Sequence, residues 1–169
     1  MKLTVIGIGG CGCNTVGSLS KKGLTDVRLM MVDNEKEMVK RVSAVDRLII
    51  ESRDPAMEEN LRALVSDSPE MLVVAGMGGR YSIEVVESLC RIHRQMHGNQ
   101  GFVWVFVVMP FDFEGRTRRA TENLAKVKEA ATKVITFDNN TLRQHNDLPL
   151  NEAFSQVNQE VCNVIESIK

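Results

Sequence analysis

The sequence has almost no net charge, since 21 lysine and arginine residues are matched by 22 aspartate and glutamate residues, for a formal charge of −1. It therefore lacks the strongly basic field that binds nucleic acid or an anionic membrane, and we expect neither as a partner. Long apolar runs are also missing. The longest covers residues 102–111 and contains Pro110, whereas a helix that crosses a bilayer needs about 20 apolar residues. We expect no membrane span.

Cysteine is scarce, and the amino-terminal segment MKLTVIGIGG has neither the long apolar stretch nor the cleavage site of a signal peptide. Scattered cysteines of this number do not form the disulfide framework of a secreted domain. We expect reduced thiols and a cytoplasmic protein. The four cysteines are Cys11, Cys13, Cys90 and Cys162.

Clusters of metal ligands are also lacking. Cys11 and Cys13 are separated by one residue, which is not a usual zinc spacing. His93 and His97 would share one helix face, but the Glu of a metalloprotease helix is absent between them. We expect that face to be solvated, and we predict no metal ligands.

Short apolar runs alternate with longer amphipathic stretches along the 169 residues. This alternation predicts one α/β domain, residues 1–169, with a doubly wound, mostly parallel six-stranded sheet in three layers, Rossmann-like, in the order 3-2-1-4-5-6. Ligands of such sheets bind beyond the carboxyl ends of the strands. The predicted strands are residues 3–8, 27–32, 48–50, 71–75, 102–109 and 134–137. The predicted helices lie near residues 12–22, 35–42, 57–65, 81–96, 116–131 and 151–168.

A glycine-rich turn, GIGGCGCN at residues 7–14, follows the first predicted strand. Glycines let backbone N–H groups approach a phosphate at the start of the next helix. The turn also fits G-x-G-x-x-G through Gly7, Gly9 and Gly12, and Asp33 ends the second strand, so an NAD(P) site is an alternative. A third interpretation is that the glycines only allow close packing of helix on strand.

Two further segments follow later strands: AGMGG at residues 75–79 and PFDFEGRTR at residues 110–118. Two glycine turns on neighbouring strands can grip one polyphosphate. Together with TFDN at 136–139 and NEAFSQVN at 151–158, these segments resemble, in order, those of the nucleotide-binding domain of the FtsZ/tubulin family of GTPases, and FtsZ more than tubulin. The five segments span nearly the whole chain.

The resemblance implies a guanine nucleotide, GTP or GDP, with Mg²⁺ as a possible companion. It places the glycines and Asn14 at the phosphates, Glu114 and Arg118 at the ribose and nearby phosphate, Phe154 under the base, and Asn139 and Asn158 at the guanine edge. It assigns no catalytic residue. The full set of implied nucleotide-binding residues is Gly9, Gly10, Cys11, Gly12, Asn14, Gly76, Gly78, Gly79, Arg80, Pro110, Glu114, Arg118, Asn139, Phe154 and Asn158.

The sequence departs from the family pattern in three places. The signature G-G-G-T-G-T-G reads GGRYSIE at residues 78–84, the loop at 51–55 has no glycine, and the chain ends at Lys169, before the family's acidic catalytic loop and second domain. Arg80 can replace some backbone donors with a side-chain charge, or Glu84 can repel the γ-phosphate, and the sequence does not choose between these. We therefore expect a diverged FtsZ-like nucleotide-binding module, weak or inactive as a GTPase, in cell division or filament assembly. Its expected partner is a second copy or an FtsZ-like subunit. A nucleotide-free structural or interaction module is the alternative.

Overall fold

Six parallel strands form one sheet in the computed structural model, which describes residues 2–34, 45–51, 54–144 and 150–169. The order β3-β2-β1-β4-β5-β6 confirms the predicted topology. Continuous apolar sequence builds the central strands because both of their faces are covered by helices. The strands are β1 Leu3–Ile8, β2 Val27–Asp33, β3 Asp46–Ile49, β4 Glu70–Gly76, β5 Phe102–Met109 and β6 Lys133–Asp138.

Helices of the described residues connect the strands, at bounds close to those predicted. The predicted helix near 35–42 lies outside the described residues. The helices are α1 Gly9–Ser20, α2 Met57–Ser66, α3 Tyr81–His97, α4 Thr117–Ala130 and α5 Leu150–Ile168. None of the described helices is both long and apolar enough to span a membrane.

The first helix starts earlier than predicted. We expected a glycine turn followed by a helix from residue 12, but α1 already begins at Gly9. Gly9 has a φ of +73°, a left-handed conformation that suits glycine and lets the chain pass from strand to helix without a loop. The first glycine-rich segment therefore covers the end of β1 and the beginning of α1.

Alternate side chains of the strands build a core on each face of the sheet. Ile6, Val73 and Val105 point to the face covered by α2, α3 and α4. Val5 and Val74 pack on the opposite face, with α1 and α5. The period of two along the strands thus gives the three predicted layers.

The expectation of a solvated His93 and His97 face is wrong. His93 is 3% exposed, and its Nε2 donates a hydrogen bond to the carbonyl oxygen of Pro69, at 2.8 Å. The Nε2 of His97 donates to the carbonyl of Val65, also at 2.8 Å. The two rings lie with centroids 4.9 Å apart. Both histidines therefore hold α3 against the end of α2 and the segment after it.

We expect the free energy of unfolding to decrease as the pH falls from about 7.5 to about 5.5, in part through His93. Burial lowers the pKa of His93 below its ordinary value, and the bond to Pro69 opposes this only in part. The unfolded chain then binds more protons in this range, so stability is lost as the pH falls. Urea unfolding of wild type and His93→Gln at both pH values measures this, because glutamine can donate to Pro69 without titrating. Equal pH dependence in both proteins would contradict the assignment.

Candidate functional site

A cleft lies at the carboxyl ends of β1, β4, β5 and β6, where the sequence places its glycine-rich and polar segments. It has two adjoining cavities of about 420 Å³ and about 540 Å³. Both are lined by Cys11, Val108, Asn139 and Phe154. Cavities of this size fit a small-molecule ligand, and the end of a doubly wound sheet is where such ligands bind.

The smaller cavity lies between α1 and α5 and carries the amide side chains. Asn14 of α1, Asn139 after β6 and Asn158 of α5 all line it, together with Phe154. Phe154 and Asn158 are one helical turn apart, so one face of α5 presents a ring and an amide together. The ring of Phe154 is 54% exposed. This cavity combines an apolar platform with groups that both donate and accept hydrogen bonds.

The larger cavity contains the glycines of both turns and the acidic residue of the PFDFEG segment. Gly10, Gly76, Gly78 and Gly79 line it, as do Pro110 and Glu114. The Oε2 atom of Glu114 accepts a hydrogen bond from the backbone nitrogen of Phe111, at 2.6 Å. This bond fixes the carboxylate at the wall of the cavity, where it can accept further hydrogen bonds from a ligand's hydroxyl groups.

The segment after β5 is tied to the segment after β6 by a reciprocal pair of hydrogen bonds. The backbone nitrogen of Asp112 donates to Oδ1 of Asn140, at 3.0 Å, and Nδ2 of Asn140 donates to Oδ1 of Asp112, at 2.9 Å. Asp112–Glu114 form a short 3₁₀ turn, which ends at Gly115 with a φ of +70°. Pro110 and Glu114 are thereby held at a fixed position relative to Asn139.

The altered glycine turn after β4 is held by the side chain of Asn123, which lies outside it, and by that of Tyr81, which lies within it. Asn123 of α4 donates through Nδ2 to the carbonyls of Met77, at 2.8 Å, and Gly79, at 3.2 Å. Tyr81 donates to the carbonyl of Ile50, at 2.7 Å. Ser82 lines the larger cavity, and its hydroxyl lies 2.4 Å from where a Cβ on Gly9 would be. The turn therefore has a defined position despite its lost glycines.

Four of the residues implied by the resemblance do not line either cavity: Gly9, Gly12, Arg80 and Arg118. A Cβ on Gly12 would lie 2.2 Å from the carbonyl oxygen of Val74, so this glycine serves the close packing of α1 on β4. Arg80 is an exposed residue that directly precedes α3. The side chain of Arg118 is 94% exposed, and its Nε lies 3.3 Å from Glu122. Their role at a nucleotide remains a prediction.

The sequence interpretation missed several cleft residues, among them Arg116 and Ser82 in the larger cavity and Lys21 in the smaller one. Arg116 lies in the same PFDFEGRTR segment as Arg118. A methyl group on Gly78 would lie 3.1 Å from its Cδ. No signal in the sequence distinguished Arg116, because the predicted helix near 116–131 includes it, whereas the observed α4 begins at Thr117. Nothing in the spacing indicated Ser82.

Cys11 occupies the centre of the cleft, because it lines both cavities. Burial raises the pKa of its thiol to about 11, and the charge of Glu114 adds to the increase. The group therefore stays a neutral thiol at neutral pH and is neither a nucleophile nor an anionic ligand there. Within the described residues, no three His, Cys, Asp or Glu side chains come together as a metal site.

Asp33, the acid of the alternative NAD(P) interpretation, lines neither cavity. It is 5% exposed, and its Oδ1 accepts a hydrogen bond from the backbone nitrogen of Asn34, at 2.7 Å. The cleft therefore does not bring the glycine turn and this carboxylate together in one cavity.

Comparison with known proteins gives a consistent set of relatives, although no protein-family model matches the chain. The chain is 27% identical over 187 residues to cell division protein FtsZ 2 of Halobacterium salinarum, covering 99% of this chain and 47% of that protein. It is 24% identical to cell division protein FtsZ 1 of Pyrococcus horikoshii, covering 99% of this chain and 50% of that one. The chain thus spans about half the length of the curated relatives it matches.

Solved structures show the same likeness in three dimensions. The FtsZ W319Y mutant of Methanocaldococcus jannaschii superposes with a TM-score of 0.83 at 22% identity, over 99% of this chain and 55% of that one. CetZ2 from Haloferax volcanii, a GTPγS-bound protofilament, gives 0.79 at 19% identity, over 99% and 58%. With the strand order and the five segments at the strand ends, these matches show that the chain has the FtsZ/tubulin-like fold.

Proposed function

We propose that the chain is an FtsZ-like module that binds a guanine nucleotide in the cleft. This proposal rests on one observation. Phe154 and Asn158, on one face of α5, line the same cavity as Asn14 and Asn139. An aromatic ring supports a purine by stacking, and amides can pair with the donors and acceptors of its edge. In this proposal the smaller cavity holds the base.

The larger cavity would then hold the ribose and phosphates. Gly10 lies in the first turn of α1, whose N-terminal backbone N–H groups favour a phosphate. Gly78 and Gly79 supply backbone close to the cavity without side chains in the way, and Glu114 offers its carboxylate to ribose hydroxyls. The described residues hold no cluster of metal ligands, so a magnesium ion would be held mainly by the nucleotide's phosphates and by water.

We further propose that the chain acts in filament assembly or cell division, with a second copy or an FtsZ-like subunit as partner. The related structures include an FtsZ dimer of M. jannaschii and the CetZ2 protofilament. We also propose that the 169 residues act as one nucleotide-binding domain and hydrolyse GTP slowly or not at all. The support is the sequence at residues 80–84, where charged and bulky side chains replace the glycines and threonines of the family signature.

We expect isothermal titration with GTP and GDP in magnesium buffer to show guanine-selective binding, with ATP and NADH binding less tightly. Asn158→Ala should weaken binding of GDP about tenfold, because it removes the hydrogen bonds of one amide to the base. Phosphate release from GTP, measured in the same samples, should stay at the buffer rate.

Asn163→Ala is the matched control, because it removes an exposed amide from the same helix away from the cleft. Equal loss in both variants would contradict the assignment of the base to this cavity. Tight binding of NADH alone would overturn the guanine proposal, and magnesium-dependent turnover above buffer would overturn the expectation that the chain does not hydrolyse GTP.

One observation favours the alternative of a nucleotide-free interaction module. The Ser82 hydroxyl fills space directly beside Gly9, and it also lies 3.5 Å from the carbonyl of Ile8. A side chain there narrows the approach to the first turn of α1. Absence of binding by every nucleotide at millimolar concentration would support this alternative.

A further inference from the structure

The larger cavity contains one arginine whose side chain makes no hydrogen bond or ion pair with any residue that the structure describes. Arg116 lines this cavity beside Gly78, Gly79 and Glu114. Its side chain crosses Gly78 closely, since a methyl group on that glycine would lie 3.1 Å from its Cδ and 3.6 Å from Nη1. Across the described residues, no hydrogen bond or ion pair engages its guanidinium, although Glu114 lines the same cavity. Its five N–H donors therefore remain free for a ligand.

The other arginines of this region are placed differently. Arg118 pairs with Glu122 on the surface of α4 and is 94% exposed. Arg119 is exposed, as Arg116 is, and both line a shallow depression with Arg118 and Glu122. Of these three arginines, Arg116 also lines the larger cavity. Arg80 is exposed and lines neither cavity of the cleft. The cleft thus takes a single arginine from this region.

We propose that Arg116 binds the phosphate chain of the guanine nucleotide and takes over the role that the resemblance gives to Arg118. This inference rests on the proposed function and deepens it. The guanidinium lies against Gly78, directly before residues 80–84, where side chains replace the glycines of the family signature and limit the approach of a phosphate to the backbone N–H groups. Arg116 supplies charge-assisted donors at that place.

The charge of the larger cavity gives an independent reason for a cation there. Glu114 places a carboxylate in the same cavity, fixed by its bond to the backbone nitrogen of Phe111. A polyphosphate brought beside that carboxylate adds negative charge to negative charge. The positive charge of Arg116 offsets this repulsion. A nucleoside carries no phosphate charge, so its binding does not depend on Arg116. Arg116 therefore makes the cleft prefer a phosphorylated nucleotide over the nucleoside.

The test measures the affinities of wild type, Arg116→Gln, Arg118→Gln and Arg119→Gln for GDP and for guanosine, by titration calorimetry at low salt. We expect Arg116→Gln to weaken GDP binding about tenfold to a hundredfold, because it removes charge-assisted hydrogen bonds to phosphate. Guanosine binding should be unchanged. Arg116→Lys should restore part of the loss, since it returns the charge without the planar fork. Arg118→Gln and Arg119→Gln should change GDP affinity by less than about threefold, as expected for exposed surface charges.

Each other result overturns the inference in a recognisable way. A loss in Arg118→Gln with none in Arg116→Gln would return the phosphate contact to Arg118. An equal loss in all three glutamine variants would mean a general effect of net charge. A loss of guanosine affinity in Arg116→Gln would indicate a structural role. If wild type bound guanosine as tightly as GDP, the inference would fail while guanine binding stood, whereas binding of neither ligand would remove the proposed function itself.

Discussion

Gly7→Ala is expected to lower the free energy of unfolding by about 3 kcal/mol or more, the largest effect of any single methyl group considered for this protein. A Cβ at this position would lie 2.1 Å from the carbonyl oxygen of Gly12 and 2.8 Å from Cγ2 of Val16. The first of these atoms belongs to the backbone of α1, so no side-chain rotation can relieve the overlap. Either the helix or the strand must move.

Neither element is free to do so. Gly7 is in the middle of the sheet, where it pairs with Met31 of β2 on one side and Val74 of β4 on the other. The same face of α1 also lies close to β4, because a Cβ on Gly12 would meet the carbonyl oxygen of Val74 at 2.2 Å. A loss of this size is a large part of the roughly 5–15 kcal/mol by which a domain is stable.

Gly79→Ala is the matched control in urea unfolding followed by circular dichroism. A Cβ on Gly79 meets no atom within 4 Å, and its backbone is not in the left-handed region. We expect this variant to change stability by less than about 0.5 kcal/mol. If Gly7→Ala were as stable as Gly79→Ala, the close packing of α1 on β1 would be wrong.

The sheet could be predicted because its strands are continuous apolar runs, and such runs mark buried parallel strands. β1 and β5 were predicted at their observed bounds, and the others within about two residues. The general location of the cleft followed from the same reasoning, because ligands bind where parallel strands end. Both inferences need only local sequence and a rule of topology.

The identity of the cleft residues was harder to predict, because it depends on directions that spacing does not encode. Arg116 and Arg118 are two residues apart, yet Arg116 directly precedes α4 and Arg118 lies in the exposed first turn of this helix. Successive helical residues are rotated by about 100°, so a shift of two reverses the facing direction. The resemblance pointed to the segment, but the structure was needed to show which arginine lines the cavity.

The hydrogen bonds that hold the altered glycine turn could not be predicted at all. Asn123 is 46 residues from Met77 along the chain, and nothing in the pattern of α4 distinguishes it from a solvated amide. It is 5% exposed. Both of its partners are carbonyl oxygens, so the nitrogen of its amide, not the oxygen, must face them. This contact explains how a turn without its usual glycines still lines the cavity.

Asn123→Asp is therefore expected to lower the free energy of unfolding by about 2–4 kcal/mol, because it puts a carboxylate oxygen where the amide nitrogen donates to two carbonyls. The shape of the side chain is kept, so the loss reports the donor and the buried charge. Asn163→Asp is the control. That amide is exposed on α5, and its Oδ1 accepts from Gln159, which a carboxylate can also do.

The same pair of variants separates stability from binding at the cleft. Met77 and Gly79 lose their donor in Asn123→Asp, and Gly79 lines the larger cavity with Gly78. At a temperature where the variant is still folded, GDP should bind less tightly to it than to Asn163→Asp, while guanosine should bind both equally. Unchanged unfolding in urea would show that Asn123 does not hold the turn. A stability loss without a change in GDP affinity would separate the turn from the phosphates, because a turn that has lost its anchor could not present Gly78 and Gly79 to them in the same position.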